Sequence, residues 1–319
     1  MNAKVLLAAT VLAIGMTIAV SRTAAAATVP AVGTSRTGSQ QEASRAELYR
    51  RGLLAEKDLP CRTNASCAAL GVAALEAGRV KDAQTLVTME AAFADATAMQ
   101  AAEDNEPKAV SSARARVATA LVHQGDVQLK LGALPNARAY YRSAVSRGND
   151  YPNDALIGRA VAAARARLDS IAGKDVVSGL PHRGARFARI MFLGMSSSVT
   201  VTPVKGRRGV YRIDGDFVYP TVGPEGEPSA NMGALAAYVR FYDGVARVPV
   251  NSNGGAAPLD ATARITNLAP YDGHDNTCLI ELALTAPETL DVRTHGSVAQ
   301  CGFGHNVIAS GRYYLMTGS

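Results

Sequence analysis

The chain has 319 residues, of which 48% are hydrophobic, and a formal net charge of +6. This length is enough for a sizeable core and about two domains. The basic surplus is modest and lies before Arg186, spread along the helix-rich part, which argues against a nucleic-acid-binding protein, because such a protein needs a concentrated basic stripe with aromatic side chains.

The N-terminus predicts export. Lys4 precedes a short apolar run, and small residues follow that run up to Ala27. The run is shorter than the roughly 20 residues that a membrane-spanning helix needs, and the alanines that end at Ala27 are typical of a signal peptidase site. We therefore predict a signal peptide at residues 1–27, a mature chain that starts at Thr28, and no membrane span after cleavage. An uncleaved N-terminal anchor is the alternative.

Four cysteines in an exported chain are typical of two disulfides. Of the three pairings that four cysteines allow, we expect Cys61 with Cys67 and Cys278 with Cys301, because pairing within each half of the chain keeps the halves independent. The pairings between the halves remain open. Zinc is not favoured, since these spacings match no zinc-binding motif.

A long helical region follows the leader. Residues 28–41 hold Ser, Thr, Gly and Gln with almost no periodic apolar residue, which predicts a flexible leader. In residues 42–172 good helix formers dominate and apolar residues recur every three or four positions, which predicts an all-α domain. Turn residues divide this domain into predicted helices that end at Gly78, begin near Val80 and stop before Asp104, and then span about 108–131, 134–147 and 153–172.

Two stretches of the helical region share small residues at a constant spacing: Gly71, Gly78 and Ala83 correspond to Gly125, Gly132 and Ala137. With Tyr141 and Ala144, these positions resemble the tetratricopeptide repeat family, in which a glycine allows close packing of the first helix and a turn glycine follows. The spacing is longer than the family's repeat of about 34 residues. Val87 and Glu90 also replace the aromatic and the second alanine of that pattern. An ordinary alanine-rich bundle is the alternative.

The resemblance implies a scaffold for protein binding. Stacked helix pairs expose an extended concave groove. The implied groove is lined from the first helix of each pair by His123, Gln124, Gln128 and Leu129. We therefore expect a protein partner in the cell envelope.

The rest of the chain predicts a β-rich domain. Residues 173–185 contain glycines, a proline and scattered charges and are a predicted linker, and residues 186–319 form the domain. Asp214-Gly215 and Asp243-Gly244 lie between alternating segments and predict tight hairpins. A last strand pair is expected around Ser310-Gly311. About seven to nine short antiparallel strands indicate a sandwich or barrel, so the predicted class is α+β and multidomain, a helical region followed by this β-domain.

The sequence predicts no catalytic activity. It contains no HExxH metalloprotease motif, no GxSxG nucleophile elbow and no phosphate-binding GxxxxGK[ST] loop. His274, His295 and His305 invite a metal site, but their spacing matches no common ligand pattern. We therefore predict no catalytic residue, no metal and no cofactor.

The C-terminal segment from Cys301 to Tyr313 resembles a Cys-Gly-x-Gly-x-Asn-Val ending of small secreted bacterial β-domains of unassigned function. The resemblance implies a cross-strand disulfide. The segment has two interpretations: a structural corner, or a ligand-binding lip built from Phe303, His305 and Asn306. Similar exported β-domains include inhibitors of lysozyme-type wall hydrolases, so a wall-acting enzyme or a hydrolase inhibitor is the alternative to partner binding.

Overall fold

In the part of the chain that the structure describes, five helices precede an eight-stranded antiparallel sheet that curls into a nearly closed barrel, so the predicted α+β class is confirmed. The signal peptide, the leader, His274 and His305 lie outside the described part of the chain. The computed structural model describes residues 61–180, 183–191, 195–222, 228–250, 278–296, 301–304 and 306–317.

The helices begin and end close to the positions that the turn residues of the sequence predict. Thr63 and Asp154 cap the first and last of them through their side-chain oxygens. Gly148 lies just beyond the predicted helix 134–147, but the fourth helix continues through it, and a Cβ there would approach Val161 Cγ2 to 2.4 Å. Glycine at this position therefore lets the last two helices cross closely. The helices are α1 (Asn64–Glu76), α2 (Val80–Glu103), α3 (Pro107–Lys130), α4 (Leu134–Asp150) and α5 (Ala155–Ser170).

The helix pairs α1–α2 and α3–α4 share their crossing and turn geometry. In α1, a Cβ on Gly71 would lie 3.0 Å from Val87 Cγ2. In α3, a Cβ on Gly125 would lie only 2.3 Å from Tyr141 Cε1, so Gly125 has no room for a side chain. The pairs turn at glycines in the left-handed region, Gly78 (φ 74°) and Gly132 (φ 75°). Membership of the tetratricopeptide repeat family stays a prediction.

The strands form one sheet in the order β4-β3-β2-β1-β8-β7-β6-β5. Alternating residues from all eight strands fill the barrel interior, among them Phe187, Ile213, Leu282 and Tyr313, each at most 1% exposed. The strands are β1 (Ala185–Ile190), β2 (Ser196–Pro203), β3 (Tyr211–Val222), β4 (Pro228–Val239), β5 (Val245–Val250), β6 (Cys278–Ala286), β7 (Thr289–His295) and β8 (Gly311–Met316).

One of the two predicted Asp-Gly hairpins is wrong. β3 runs without interruption through Asp214-Gly215 and pairs with β4 along its length. Gly215 is a packing residue, because a Cβ there would lie 2.9 Å from Phe217 Cζ and 3.2 Å from Leu235 Cβ.

The hairpin at Asp243-Gly244 is confirmed. Both residues have positive φ (50° and 80°). Tyr242 and Val245, on either side of them, exchange two backbone hydrogen bonds of 2.8 and 2.9 Å. The strand pair expected around Ser310-Gly311 is wrong, since the structure has a single strand there, β8, which begins at Gly311 and pairs with β7 and β1.

Both expected disulfides are present, Cys61–Cys67 and Cys278–Cys301. Cys301 lies in a turn outside the strands, so the second bond joins a strand to a loop and is not cross-strand. The loop beyond Cys301 packs on β4, where the Gly304 amide donates to the Met232 carbonyl at 3.3 Å. The bond therefore ties β6, the neighbour of one end strand of the sheet, to a loop that covers the other end strand, β4.

The helical part and the barrel belong to one compact unit. α4 packs on β8 and β1. Its Arg138 donates to the Lys174 carbonyl at 2.8 Å and to the Asp175 carbonyl at 3.2 Å, within the predicted linker. The two parts thus share an interface, while the domain boundaries stay a prediction.

Candidate functional site

A cavity of about 250 Å³ lies where the helices meet the sheet. Helices α2, α3 and α4 form one side, and strands β1, β2 and β8 form the other. Its polar lining is dominated by side-chain amides, one phenol and one guanidinium: Gln84, Gln124, Gln128, Asn136, Tyr140 and Arg186.

Helical spacing brings these side chains together. Gln124 and Gln128 are four residues apart on α3, and Asn136 and Tyr140 are four apart on α4, so each pair lies on one helix face. On β1, Arg186 is exposed while its neighbour Phe187 is buried in the barrel. The alternation of a strand therefore directs the guanidinium away from the barrel core, towards the helices.

Asn136 connects the cavity to the end of β8. Its Oδ1 accepts from the Thr317 amide at 2.8 Å, and its Nδ2 donates to the Thr317 carbonyl at 3.3 Å. The side chain thus pairs with Thr317 as a neighbouring strand backbone would. Nδ2 also donates to Gln128 Oε1 at 3.2 Å, which orients that amide at the cavity wall.

Tyr140 contributes a neutral phenol. Burial raises the pKa of Tyr140 above its usual value of 10.0, and the charge of Arg186 opposes that rise. The hydroxyl is therefore protonated at neutral pH. A protonated phenol can donate one hydrogen bond and accept others. The cavity therefore offers donors and acceptors, and its described lining carries one cationic side chain, Arg186, and one acidic side chain, Asp95.

His123 serves a different contact. Its Nδ1 lies 2.8 Å from Glu90 Oε2, and Glu90 is 1% exposed between α2 and α3. Burial disfavours the charged imidazole, but the hydrogen bond and charge of Glu90, helped by Asp126, outweigh it and raise the pKa of His123. The pair connects two helices and does not line the cavity.

The structure brings together half of the predicted groove. Gln124 and Gln128 line the cavity. Leu129 packs instead against the hydrophobic cluster between α3, α4 and α5. Only these two of the four predicted side chains therefore face the same space.

The structure describes two of the three predicted lip residues, and one of these two is buried. Phe303 is 9% exposed in the barrel core, with its ring centroid 5.3 Å from that of Phe217. A Cβ on Gly233 would meet its ring at 2.9 Å. Asn306 is exposed with φ 61°, and His305 lies outside the described residues. The structural-corner interpretation of Phe303 is the one that fits.

Four of these six polar cavity residues were missed from the sequence: Gln84, Asn136, Tyr140 and Arg186. The four-residue spacing on α4 was a usable signal for Asn136 and Tyr140. The sequence holds no such signal for Arg186, because its place in the cavity depends on β1 docking against the helices.

In the part of the chain that the structure describes, no group of three or more His, Cys, Asp or Glu side chains is arranged to hold a metal ion. None of the helices in that part combines the length and apolarity that crossing a membrane requires. Comparison with protein-family models, with curated proteins and with solved structures finds no match to this chain.

Proposed function

We propose that this protein is a non-catalytic binding protein of the cell envelope, periplasmic or secreted, whose cavity between α3, α4 and β1 binds a polypeptide segment of a protein partner. The observation that carries the proposal is the convergence of Gln84, Gln124 and Gln128 on one cavity. Asn136 anchors this arrangement through its contacts with Gln128 and Thr317.

Amide side chains suit a polypeptide ligand. Each Gln or Asn carries both donors and an acceptor, the same groups that an extended backbone presents. Arg186 adds a planar cation that can pair with a carboxylate of the bound segment. A cavity of about 250 Å³ takes a few residues of a partner, not a folded surface.

The proposed envelope location is supported by different observations. Two disulfides are typical of proteins in oxidising compartments. The predicted signal peptide would direct export of the chain to such a compartment. The alternative, a wall-acting enzyme or hydrolase inhibitor that uses the C-terminal lip, loses its aromatic contact because Phe303 is buried.

Site-specific photo-crosslinking tests the proposal. A photoreactive residue at Gln124 should trap one discrete partner in envelope material. The same residue at Gln100, an exposed glutamine near the end of α2, is the matched control. Equal trapping at both positions, or none at Gln124, would contradict the proposal.

The partner identified in this way allows a binding measurement. Gln124→Ala/Gln128→Ala should weaken its affinity about tenfold or more, because unpaired polar groups of the ligand would be left buried. Gln100→Ala should leave the affinity unchanged. Hydrolysis of wall polymer by the purified protein would refute the non-catalytic assignment.

A further inference from the structure

A second cavity, of about 240 Å³, lies on the other side of the β1 end. It shares Ile190 and Met191 with the amide-lined cavity, but its polar lining differs. Three arginines and two serines face it from α4, β1 and β8: Arg147, Arg189, Arg312, Ser143 and Ser146.

Each arginine comes from a different element, and contacts of the guanidinium groups of Arg189 and Arg312 hold these two in place. Arg189 lies across Gly311, where a Cβ would be 2.8 Å from its Cδ, Cζ and Nε. Its Nη1 donates to the Ser310 carbonyl at 2.6 Å. Arg312 is fixed by Asp291, which accepts from its Nε at 2.9 Å. The guanidinium groups of Arg189 and Arg312 are therefore positioned before any ligand arrives.

Arg147 is half-buried on α4. Burial lowers the pKa of Arg147, the charges of Asp95 and Asp150 oppose this fall, and the charge of Arg189 adds to it. Arginine nevertheless stays charged in proteins, so the two guanidinium groups share this space as cations. Among the described residues that line the cavity, the acidic one is Asp150.

We propose that this cavity binds a tetrahedral oxyanion, a phosphate or sulfate group. Three arginines that line one cavity from three elements, with serine hydroxyls beside them, suit an anion whose oxygens point in several directions, whereas a planar carboxylate needs only one fork. The proposal does not depend on the amide-lined cavity or its partner.

Calorimetric titration of the mature full-length protein with inorganic phosphate, in Tris chloride at low ionic strength, tests the site. We expect binding of one phosphate per chain, weakened about tenfold or more in Arg147→Gln, since a charge-assisted hydrogen bond is lost. Arg165→Gln, on the exposed face of α5, is the matched control and should bind as the wild type does. Absence of binding, or equal loss in the control, would overturn the proposal.

Ser146→Asp provides a variant that keeps all three arginines. Its carboxylate would occupy the anion position, so phosphate binding should be lost while the protein melts at an equal or higher temperature. Retained binding in this variant would place the phosphate elsewhere and overturn the proposal.

Two further ligands define its chemistry. Acetate that binds as tightly as phosphate would overturn the tetrahedral assignment. Tighter binding of glycerol phosphate than of inorganic phosphate would support a phosphate group carried on a larger molecule, and the reverse order would support the free ion.

Discussion

Arg138 on α4 and Glu288 in the β6–β7 turn form a buried ion pair between the helical part and the barrel. Arg138 Nε donates to Glu288 Oε2 at 2.6 Å, and the two side chains are 3% and 1% exposed. Glu288 has φ 60° and follows Pro287, at the turn position where glycine or asparagine is preferred. The carboxylate also accepts from the Val177 amide at 3.3 Å. One side chain in a strained backbone conformation thus joins helix, linker and turn.

Removing one member of this pair should be costly. Arg138→Met leaves the Glu288 carboxylate buried without its main partner, so we expect a loss of about 3–5 kcal/mol in the free energy of unfolding, measured by urea denaturation. Arg293→Met removes an exposed ion pair with Glu281 and should cost far less.

A double variant separates the ion pair from general damage to the interface. Glu288→Gly removes the second charge and relieves the positive φ. Arg138→Met/Glu288→Gly should therefore be more stable than Arg138→Met alone. A double variant as unstable as the sum of the two single variants would show that the pair does not couple the two parts.

After proteolysis of the predicted linker, we expect the two fragments to stay associated. The sequence predicts cleavage between Gly173 and Gly184, where backbone is exposed. Because Arg138 binds the Lys174 and Asp175 carbonyls and Glu288, the fragments should co-elute on gel filtration and separate only in denaturant. Separation in native buffer would mean that the interface does not hold the parts together.

Two glycine substitutions test the helix crossing. Gly125→Ala places a Cβ against the Tyr141 ring and should destabilise the protein by about 1–3 kcal/mol through overpacking. Gly158→Ala, in α5 with nothing within 4 Å of the added Cβ, should stabilise it by about 0.5–1 kcal/mol, because alanine favours a helix. Thermal melts of both variants measure the contrast, and equal effects would refute the packing role of Gly125.

His123 should make stability depend on pH. Its pKa is raised above 6.5 in the folded protein, by Glu90 and Asp126 against burial and Arg167. A raised folded pKa gives stabilisation that is fully present below pH 6.5 and is lost as the pH rises through the folded value. Urea denaturation at a series of pH values should therefore show a decline above pH 6.5 that is smaller in His123→Gln. An identical decline in that variant would remove His123 as its cause.

The helical part was predictable because its signals are local. Gly78, Pro107 and Gly132 end or begin helices through their own backbone preferences, whatever surrounds them. Gly148 shows the limit of such signals, since its role is to admit Val161 from the next helix. Asp214-Gly215 shows the same limit of local signals in the sheet, where contact with Leu235 on the neighbouring strand overrides a strong turn propensity.

The site was predictable only within one helix. Gln124 and Gln128 were expected together because the repeat resemblance implies a groove lined from the helix that carries them. Arg186 and Thr317 enter the same site because β1 and β8 dock on α4, a contact between residues far apart in the chain. Arg138 and Glu288 contribute to this docking. In the sequence they resemble ordinary surface charges, and no pattern around them predicts their burial.

The two disulfides should differ in their contribution to stability. In the chain-entropy model, closing the longer loop between Cys278 and Cys301 contributes about 3 kcal/mol, and closing the short loop between Cys61 and Cys67 contributes roughly 2 kcal/mol. The longer bond also holds the loop that seats Phe303 against β4, so its loss should expose part of the barrel core. The shorter bond lies at the start of α1 and fixes only that end of the helical part.

Paired substitutions in the full-length protein measure this difference. Cys278→Ala/Cys301→Ala should lower the free energy of unfolding clearly more than Cys61→Ala/Cys67→Ala, because it loses both the loop restriction and the seated Phe303. Non-reducing peptide mapping of the unmodified protein is the control for the pairing. A peptide that links Cys61 to Cys301 would refute the pairing, and a larger loss in Cys61→Ala/Cys67→Ala would show that the stability of the unit depends mainly on the first helix pair and not on the closure of the barrel.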